Sequence, residues 1–300
     1  MHLLSTHIVA THISPTRLSD YACGLFPQLV SRKSVKKAIK SGAIRVNELV
    51  CTTAYWVQAN DAIQLYDLEQ QAPKSYDLTL EVVYEDEDLA VINKPAGIVV
   101  SGNQFRTITN TLSSNLQSSS LPDALAWPKP THRLDQATSG LLLIAKTALA
   151  RVHLGQQFEE KTIQKRYRAI CIGELAPSGL ITKPIEGKPA LTRYELVGQS
   201  PSIKNQTLSL LDLYPETGRT HQLRIHLSQL GYPILGDALY GSEGLILKRK
   251  GLFLAAVALQ FQHPRSGHSM AIDIPHPSKF DKLLQREQVM WEKWQAGQSD

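Results

Sequence analysis

The sequence predicts an α+β protein in two parts, a small basic αβ module followed by a larger domain that mixes strands and helices. Charge placement is the first reason. Residues 1–66 hold seven Lys or Arg (Arg17, Arg32, Lys33, Lys36, Lys37, Lys40, Arg45) against Asp20, Glu48 and Asp61, which accounts for most of the chain's +5. A change of texture is the second. From Leu78 onward, short β-branched runs alternate with helical stretches and turns. The third is rhythm: these runs follow no regular βαβ order, which argues against a doubly wound sheet.

Taken in order, residues 1–13 read as an extension, 14–67 as the module, 68–77 as a linker, 78–294 as the main domain and 295–300 as a frayed tail. In the module, Leu18 to Leu25 is a short helix candidate. Ser34 stands at an N-cap position, with Val35 and Ile39 on one face and Gly42 placed to end the helix. Ala43 to Val46 alternates as a strand, Asn47 marks a turn, and a second apolar stretch ends at Asp61–Leu65. In the main domain, 80–84, 89–92, 141–145, 167–172 and 208–214 read as strands and 149–165 as a helix. Leu223, Leu227 and Leu230 fall at i, i+4, i+7 ahead of Gly231, a helix with its C′ glycine.

Composition excludes several classes. The longest apolar run, Leu252 to Leu259, is far short of the ~20 residues of a spanning helix, so no membrane role is expected. Cys23, Cys51 and Cys171 are odd in number and scattered, which suggests reduced thiols in the cytoplasm and no zinc site. No metal is expected, and no GxGxxG, P-loop or GxSxG pattern points to a nucleotide cofactor or a serine hydrolase.

Three clusters carry candidate chemistry. Thr131-His132-Arg133-Leu134-Asp135-Gln136-Ala137-Thr138-Ser139-Gly140 is a polar turn leading into the buried run Leu141 to Ala145. Such a turn presents groups rigidly at a sheet edge; it also reads as a structural Arg133–Asp135 pair followed by a plain turn. Gly218-Arg219-Thr220-His221-Gln222-Leu223-Arg224 opens the i, i+4, i+7 helix. A cation in a first turn opposes the helix dipole, so Arg224 calls for a buried carboxylate partner. Lys165-Arg166-Tyr167 begins a strand, where a tyrosine ordinarily packs with its hydroxyl at water.

In this order, HRLDQATSGLLLIAKT, KRYRAICIGEL and GRTHQLRIHLSQLGYPILGDALYG resemble the three signature segments of the large-ribosomal-subunit type of RNA pseudouridine synthase. Asn93 to Val100 (NKPAGIVV) and Phe261 to Pro264 (FQHP) resemble two further landmarks of that family, and SRKSVKKAIKSGAIRVN resembles the alpha-L RNA-binding module that often precedes it. The resemblance implies a mainly antiparallel mixed sheet with helices and loops around a central cleft. It implies Asp135 as nucleophile or base, Arg224 as its partner and Tyr167 stacking on the target base. Arg133 would enter the space the base vacates, and Thr138 and Leu223 would contact the substrate. Arg32, Lys33, Lys36, Lys37, Lys40 and Arg45 would contact RNA phosphates. The implied partner is RNA, large-subunit rRNA ahead of tRNA, with neither DNA nor a second subunit.

The implied chemistry suits these residue types. Uracil leaves the ribose through nitrogen 1 and returns through carbon 5, so no group is gained or lost and no cofactor is required. A carboxylate in a largely dry pocket stays charged when a guanidinium faces it. Extruding a base costs a few kcal/mol, offset by stacking and pocket contacts. A hydrolytic glycosidase would want two carboxylates flanking the bond; one aspartate dominates here. The competing readings are a non-catalytic RNA-binding or ribosome-assembly factor on the same scaffold, and a hydrolase or nuclease. Four departures from the family pattern stand out: Ala255 and Ser101 where histidines are common, Asn47-Glu48 for Asn-Gly, and a short connection at 185–190.

Overall fold

The computed structural model describes residues 2–298 apart from Ile13, Pro27, Gln28, Val30, 68–73 and 242–249, and it divides into two compact units, Met1–Pro73 and Lys74–Asp300. Most of the expected linker, 68–73, and the last two residues of the expected tail lie outside the described residues.

In the first unit, strands β1 (His2–Ile8), β2 (Ile44–Val46), β3 (Leu49–Val50) and β4 (Ala62–Asp67) form a sheet of order β1-β4-β2-β3. Helices α1 (Leu18–Tyr21) and α2 (Arg32–Lys40) cover it over a core of Leu18, Val35, Ile39, Ile44 and Ile63. Residues 2–8 are therefore part of the module, where the sequence suggested an extension. Leu3, Leu4 and Ile8 are all exposed, so ladder hydrogen bonds to β4 hold the strand and no buried face marks it in sequence.

The α2 cap is also corrected. Ser31 is the N-cap: its hydroxyl accepts from the Ser34 amide at 3.1 Å, and the Ser31 amide donates to the Ser34 hydroxyl at 3.2 Å. The β2–β3 turn forms without glycine, Asn47 and Glu48 both taking positive φ. The Glu48 amide donates to Gln64 at 2.8 Å and the Asn47 side chain bridges Asp61 and the Ala62 amide, which offsets the strain.

The second unit is built on one ten-stranded sheet among the described residues. Its strands are β5 (Glu81–Glu85), β6 (Leu89–Lys94), β7 (Ala124–Pro130), β8 (Ser139–Thr147), β9 (Gln164–Ile172), β10 (Ser178–Ile181), β11 (Thr192–Ser202), β12 (Gln206–Pro215), β13 (Leu254–Gln262) and β14 (Ser269–Asp273). The order is β10-β11-β12-β9-β13-β8-β6-β5, with β7 beside β8 and β14 beside β13. Every pairing is antiparallel except β8 with β13, so the expected α+β class with a mainly antiparallel sheet holds.

Helices α3 (Leu112–Asn115), α4 (Ala148–Glu159), α5 (Gln222–Gln229) and α6 (Lys279–Ala296) pack around the sheet. The helix expected over 149–165 stops at Glu159, because Lys161 turns left-handed (φ 61°) and the chain re-enters the sheet as β9. The expected frayed tail from 295 is helical to Ala296, since α6 is anchored by Phe280 and Leu283 on the sheet.

The parallel junction of β8 with β13 has a steric cause. Gly140 (φ 111°) lies so close to β13 that a Cβ would sit 2.1 Å from the Ala256 carbonyl oxygen. This contact lets the 131–138 turn enter the sheet centre beside β9, where Tyr167 is the register partner of Ala256. Ala255, one residue earlier, points into the apolar layer under α6. The side chain at 255 therefore lies in the apolar layer and not among the residues that line the cleft.

Candidate active site

The 131–138 turn, the start of β9 and the segment leading into α5 converge on a cleft of ≈ 440 Å³. That lies within the roughly 300–1,000 Å³ typical of ligand sites. Arg133, Asp135, Thr138, Tyr167, Leu223 and Arg224, the residues singled out in sequence for chemistry or substrate contact, all line it.

Asp135 is held by its backbone. Its carbonyl accepts from the Thr138 amide at 3.1 Å, and the next carbonyl, of Gln136, accepts from the Gly97 amide at 2.7 Å. Lys94, wholly buried, donates to the carbonyls of Pro95, Ile98 and Gln136 at 2.9, 2.8 and 3.4 Å. Burial pushes this ammonium down to about 8, with the Asp135 carboxylate acting in the opposite sense. The NKPAG segment thus buttresses the aspartate turn. His132 does the same from the other side: its Nε2 accepts the Leu143 amide at 3.0 Å, and burial followed by the nearby Lys165 charge pushes it down to about 3. A neutral ring with Nε2 as acceptor satisfies that bond.

Two nitrogens approach the Asp135 carboxylate. Arg224 Nη1 lies 3.7 Å from Oδ2, and His221 Nε2 lies 3.7 Å from Oδ1. The Asp135 side chain is 18% exposed and the Arg224 side chain 6%, so the carboxylate looks into the cleft while the guanidinium stays behind it. Arg133 is exposed and ion-pairs neither Asp135 nor another carboxylate among the described residues, which removes the reading of a structural Arg133–Asp135 pair.

The buried carboxylate that Arg224 requires is Asp237, not Asp135. Nε and Nη2 of Arg224 donate to the two Asp237 oxygens, both at 2.7 Å. Asp237 also accepts the Leu239 and Tyr240 amides at 2.9 and 3.1 Å. Burial alone would raise its carboxyl, but these hydrogen bonds and the guanidinium charge outweigh burial and hold it below the usual carboxylate range. With its fork occupied, Arg224 offers only Nη1 to Asp135. Arg224 responds in kind: burial opposes its charge, while Asp237 and then Asp135 raise it.

Tyr167 is partly buried between two core clusters. Burial first, and then the Asp135 carboxylate, push its phenol well above the ordinary tyrosine value, so it stays neutral. Leu223 is 7% exposed and forms part of the cleft floor. Thr138 is 2% exposed and closes the aspartate turn through its amide.

With this geometry in place, comparison with known proteins is decisive. Residues 88–229 match the family model of RNA pseudouridylate synthase. The chain is 34% identical to the ribosomal large subunit pseudouridine synthase D of Zymomonas mobilis, covering 89% of this chain and 92% of that one. The chain belongs to the RNA pseudouridine synthase family. It is also 33% identical to the synthase D of Pseudomonas aeruginosa, over 89% of this chain and 91% of that protein. Human RNA pseudouridylate synthase domain containing 1 superposes with a TM-score of 0.55 at 28% identity, covering 66% of this chain and 84% of that one. The protein is therefore an isomerase that converts uridine in RNA to pseudouridine.

The basic residues of the first unit form a separate group. Lys33, Lys36, Lys37 and Lys40 are exposed on the outer face of α2, opposite buried Val35, Ala38 and Ile39. Arg32 is engaged by Asp20, with Nη2 donating to Oδ2 at 2.9 Å, and Arg45 lies over the Tyr66 ring at 5.0 Å. Among the described residues these lysines make no ion pair, whereas the two arginines are internally committed.

Sequence reasoning missed Asp237, His221 and Tyr240. The first lies in a turn thirteen residues past Arg224, and no local pattern says which carboxylate goes inside. For His221 a signal existed: it occupies the N-cap of α5, where Ser, Asp or Asn is the rule.

Proposed function

We propose that this synthase isomerises specific uridines of large-subunit rRNA, with Asp135 as nucleophile on the ribose and the target uridine extruded into the cleft. The observation that carries the proposal is an accessible carboxylate faced by the buried guanidinium of Arg224 at 3.7 Å, in a cleft of ≈ 440 Å³. A neutral Tyr167 suits stacking on an extruded base, and exposed Arg133 at the rim suits replacing that base in its helix. The names of the relatives point to the rRNA target.

The experiment is release of tritium from carbon 5 of uridine by the purified protein. Protein-free large-subunit rRNA and total tRNA, each labelled with carbon-5-tritiated uridine, serve as substrates. Release from the rRNA is expected. Release confined to tRNA would move the target, and none from either would remove the activity.

The first unit serves in this reading as an RNA-binding module whose α2 lysines lie along phosphates. Such contacts set affinity and salt dependence more than sequence choice. Replacing Lys33, Lys36 and Lys37 together by Gln is expected to weaken rRNA binding and flatten the plot of log affinity against log salt by roughly 2 to 3. The rate on saturating RNA should stay unchanged. An unaltered salt slope would contradict phosphate contact by this helix.

A further inference from the structure

His221 is the least ordinary residue of the cleft. It adopts left-handed backbone angles (φ 55°, ψ 22°) at the N-cap of α5, and its side chain caps nothing. A non-glycine residue in that region is strained, and such residues concentrate at functional sites. Imidazole Nδ1 is 2.9 Å from the Tyr240 hydroxyl, and the two rings meet edge-on at 5.6 Å. Nε2 points to Asp135 Oδ1 at 3.7 Å, too far for a hydrogen bond, and the side chain is 26% exposed to the cleft. The loop closes through Arg224, whose guanidinium lies 5.1 Å from the Tyr240 ring. Around Asp135 the labour is divided: Arg224 takes the Oδ2 side and His221 the Oδ1 side.

Pseudouridylation has a proton step that follows the departure of Asp135 from the ribose, when its carboxylate is again free and faces Arg224. Once carbon 5 is joined to the sugar it carries both the new bond and its original hydrogen. That C5–H bond must break, its electron pair re-forming the C5=C6 double bond while the C6=N1 pair moves to nitrogen 1, which then takes a proton. One proton is lost at carbon 5 and one gained at nitrogen 1, so the balance is zero. A base within reach of the ring is required. Tyr167 suits the task poorly, because burial and the Asp135 charge both oppose a phenolate. Lys94 is wholly buried, and its ammonium donates to backbone carbonyls. Lys165 also lines the cleft, and burial and then the Lys161 charge lower its ammonium, but among the described residues it makes no ion pair with Asp135, whereas His221 does.

We propose that His221 is a second catalytic residue, which accepts the carbon-5 proton at Nε2 while the Tyr240 hydroxyl, accepting from Nδ1–H, holds the ring in place. The imidazolium so formed faces the Asp135 carboxylate at 3.7 Å, which stabilises it at the moment of transfer, and it then passes the proton to water. The groups facing His221 are Asp135 on its turn, Arg224 on α5 and Tyr240 beyond Asp237. The αL backbone serves to aim Nε2 into the cleft and away from the helix end. This inference rests on the proposed roles of Asp135 and the cleft.

The test is single-turnover pseudouridine formation on large-subunit rRNA transcripts made with protiated or carbon-5-deuterated uridine. The proteins compared are wild type, His221→Gln and His221→Ala, with Asp135→Asn as the inactive control. His221→Gln should slow the protiated reaction about 10²-fold or more, leave RNA affinity and melting temperature near wild type, and show a deuterium effect larger than that of wild type. Added imidazole should restore part of the rate to His221→Ala. A His221→Gln rate equal to wild type overturns the proposal, as does a slowed rate with no added deuterium effect and no imidazole rescue. In either case an inactive Asp135→Asn leaves the account of the cleft intact, whereas an active Asp135→Asn removes that account itself.

Discussion

Asp135→Asn is expected to abolish carbon-5 tritium release, by at least about 10³-fold, while leaving the fold and RNA binding in place. Asparagine keeps the size and the hydrogen-bonding oxygen but loses the charge and the nucleophilicity. Most enzymes would be destabilised by removing one half of a charge pair at a 6%-exposed arginine, because a lone buried guanidinium is costly. Here it is already satisfied by Asp237 through two 2.7 Å bonds. Stability, followed by thermal denaturation, should therefore change by no more than a surface substitution would cause, about 0.5 kcal/mol. Full release by the variant, measured on the same rRNA, would end the assignment of the nucleophile.

Asp237→Asn should instead destabilise the second unit and lower activity together. The Asp237 carboxylate is fully buried, and its charge answers that of Arg224. Removing it leaves the guanidinium with Asp135 alone at 3.7 Å, and losing one partner of a buried pair typically costs 3–5 kcal/mol. For a unit of this size that corresponds to roughly a 10 °C fall in melting temperature. Activity should fall further than stability explains, since a released Arg224 can swing onto Asp135 and cover the oxygen proposed to attack. The double variant Arg224→Met/Asp237→Asn should recover part of the stability and none of the activity. Thermal denaturation by circular dichroism and single-turnover rates check both. Additive losses in the double variant would show that the two side chains act independently.

What could be read from the chain depended on whether the information was local. The helix that became α5 was legible from Leu223, Leu227, Leu230 and Gly231, because period and C′ glycine both lie within nine residues. The need of Arg224 for a buried carboxylate was legible too, from the dipole argument; the resemblance supplied Asp135 as its partner, and the structure supplies Asp237 for the fork and Asp135 for the remaining nitrogen. Which acid turns inward is settled by packing between distant segments, and that leaves no periodic trace. β1 was missed because exposed Leu3, Leu4 and Ile8 make no apolar face. Ser34 reads as the cap of α2 in sequence because a capping box built from Ser31 and Ser34 shows two candidate hydroxyls, and which of them lies outside the helix is set by the fold. The helix expected over 149–165 was too long because Lys161 turns left-handed without a glycine to announce it.

The account comes down to one carboxylate acting on one class of RNA. Its most direct test is a pseudouridine map of rRNA and tRNA from cells lacking this gene, with the chain restored as wild type or as Asp135→Asn. The expected map loses pseudouridine at one or more large-subunit rRNA positions, regains it with the wild-type chain and stays bare with Asp135→Asn. An unchanged map in the deleted cells, or one restored by Asp135→Asn, would contradict it.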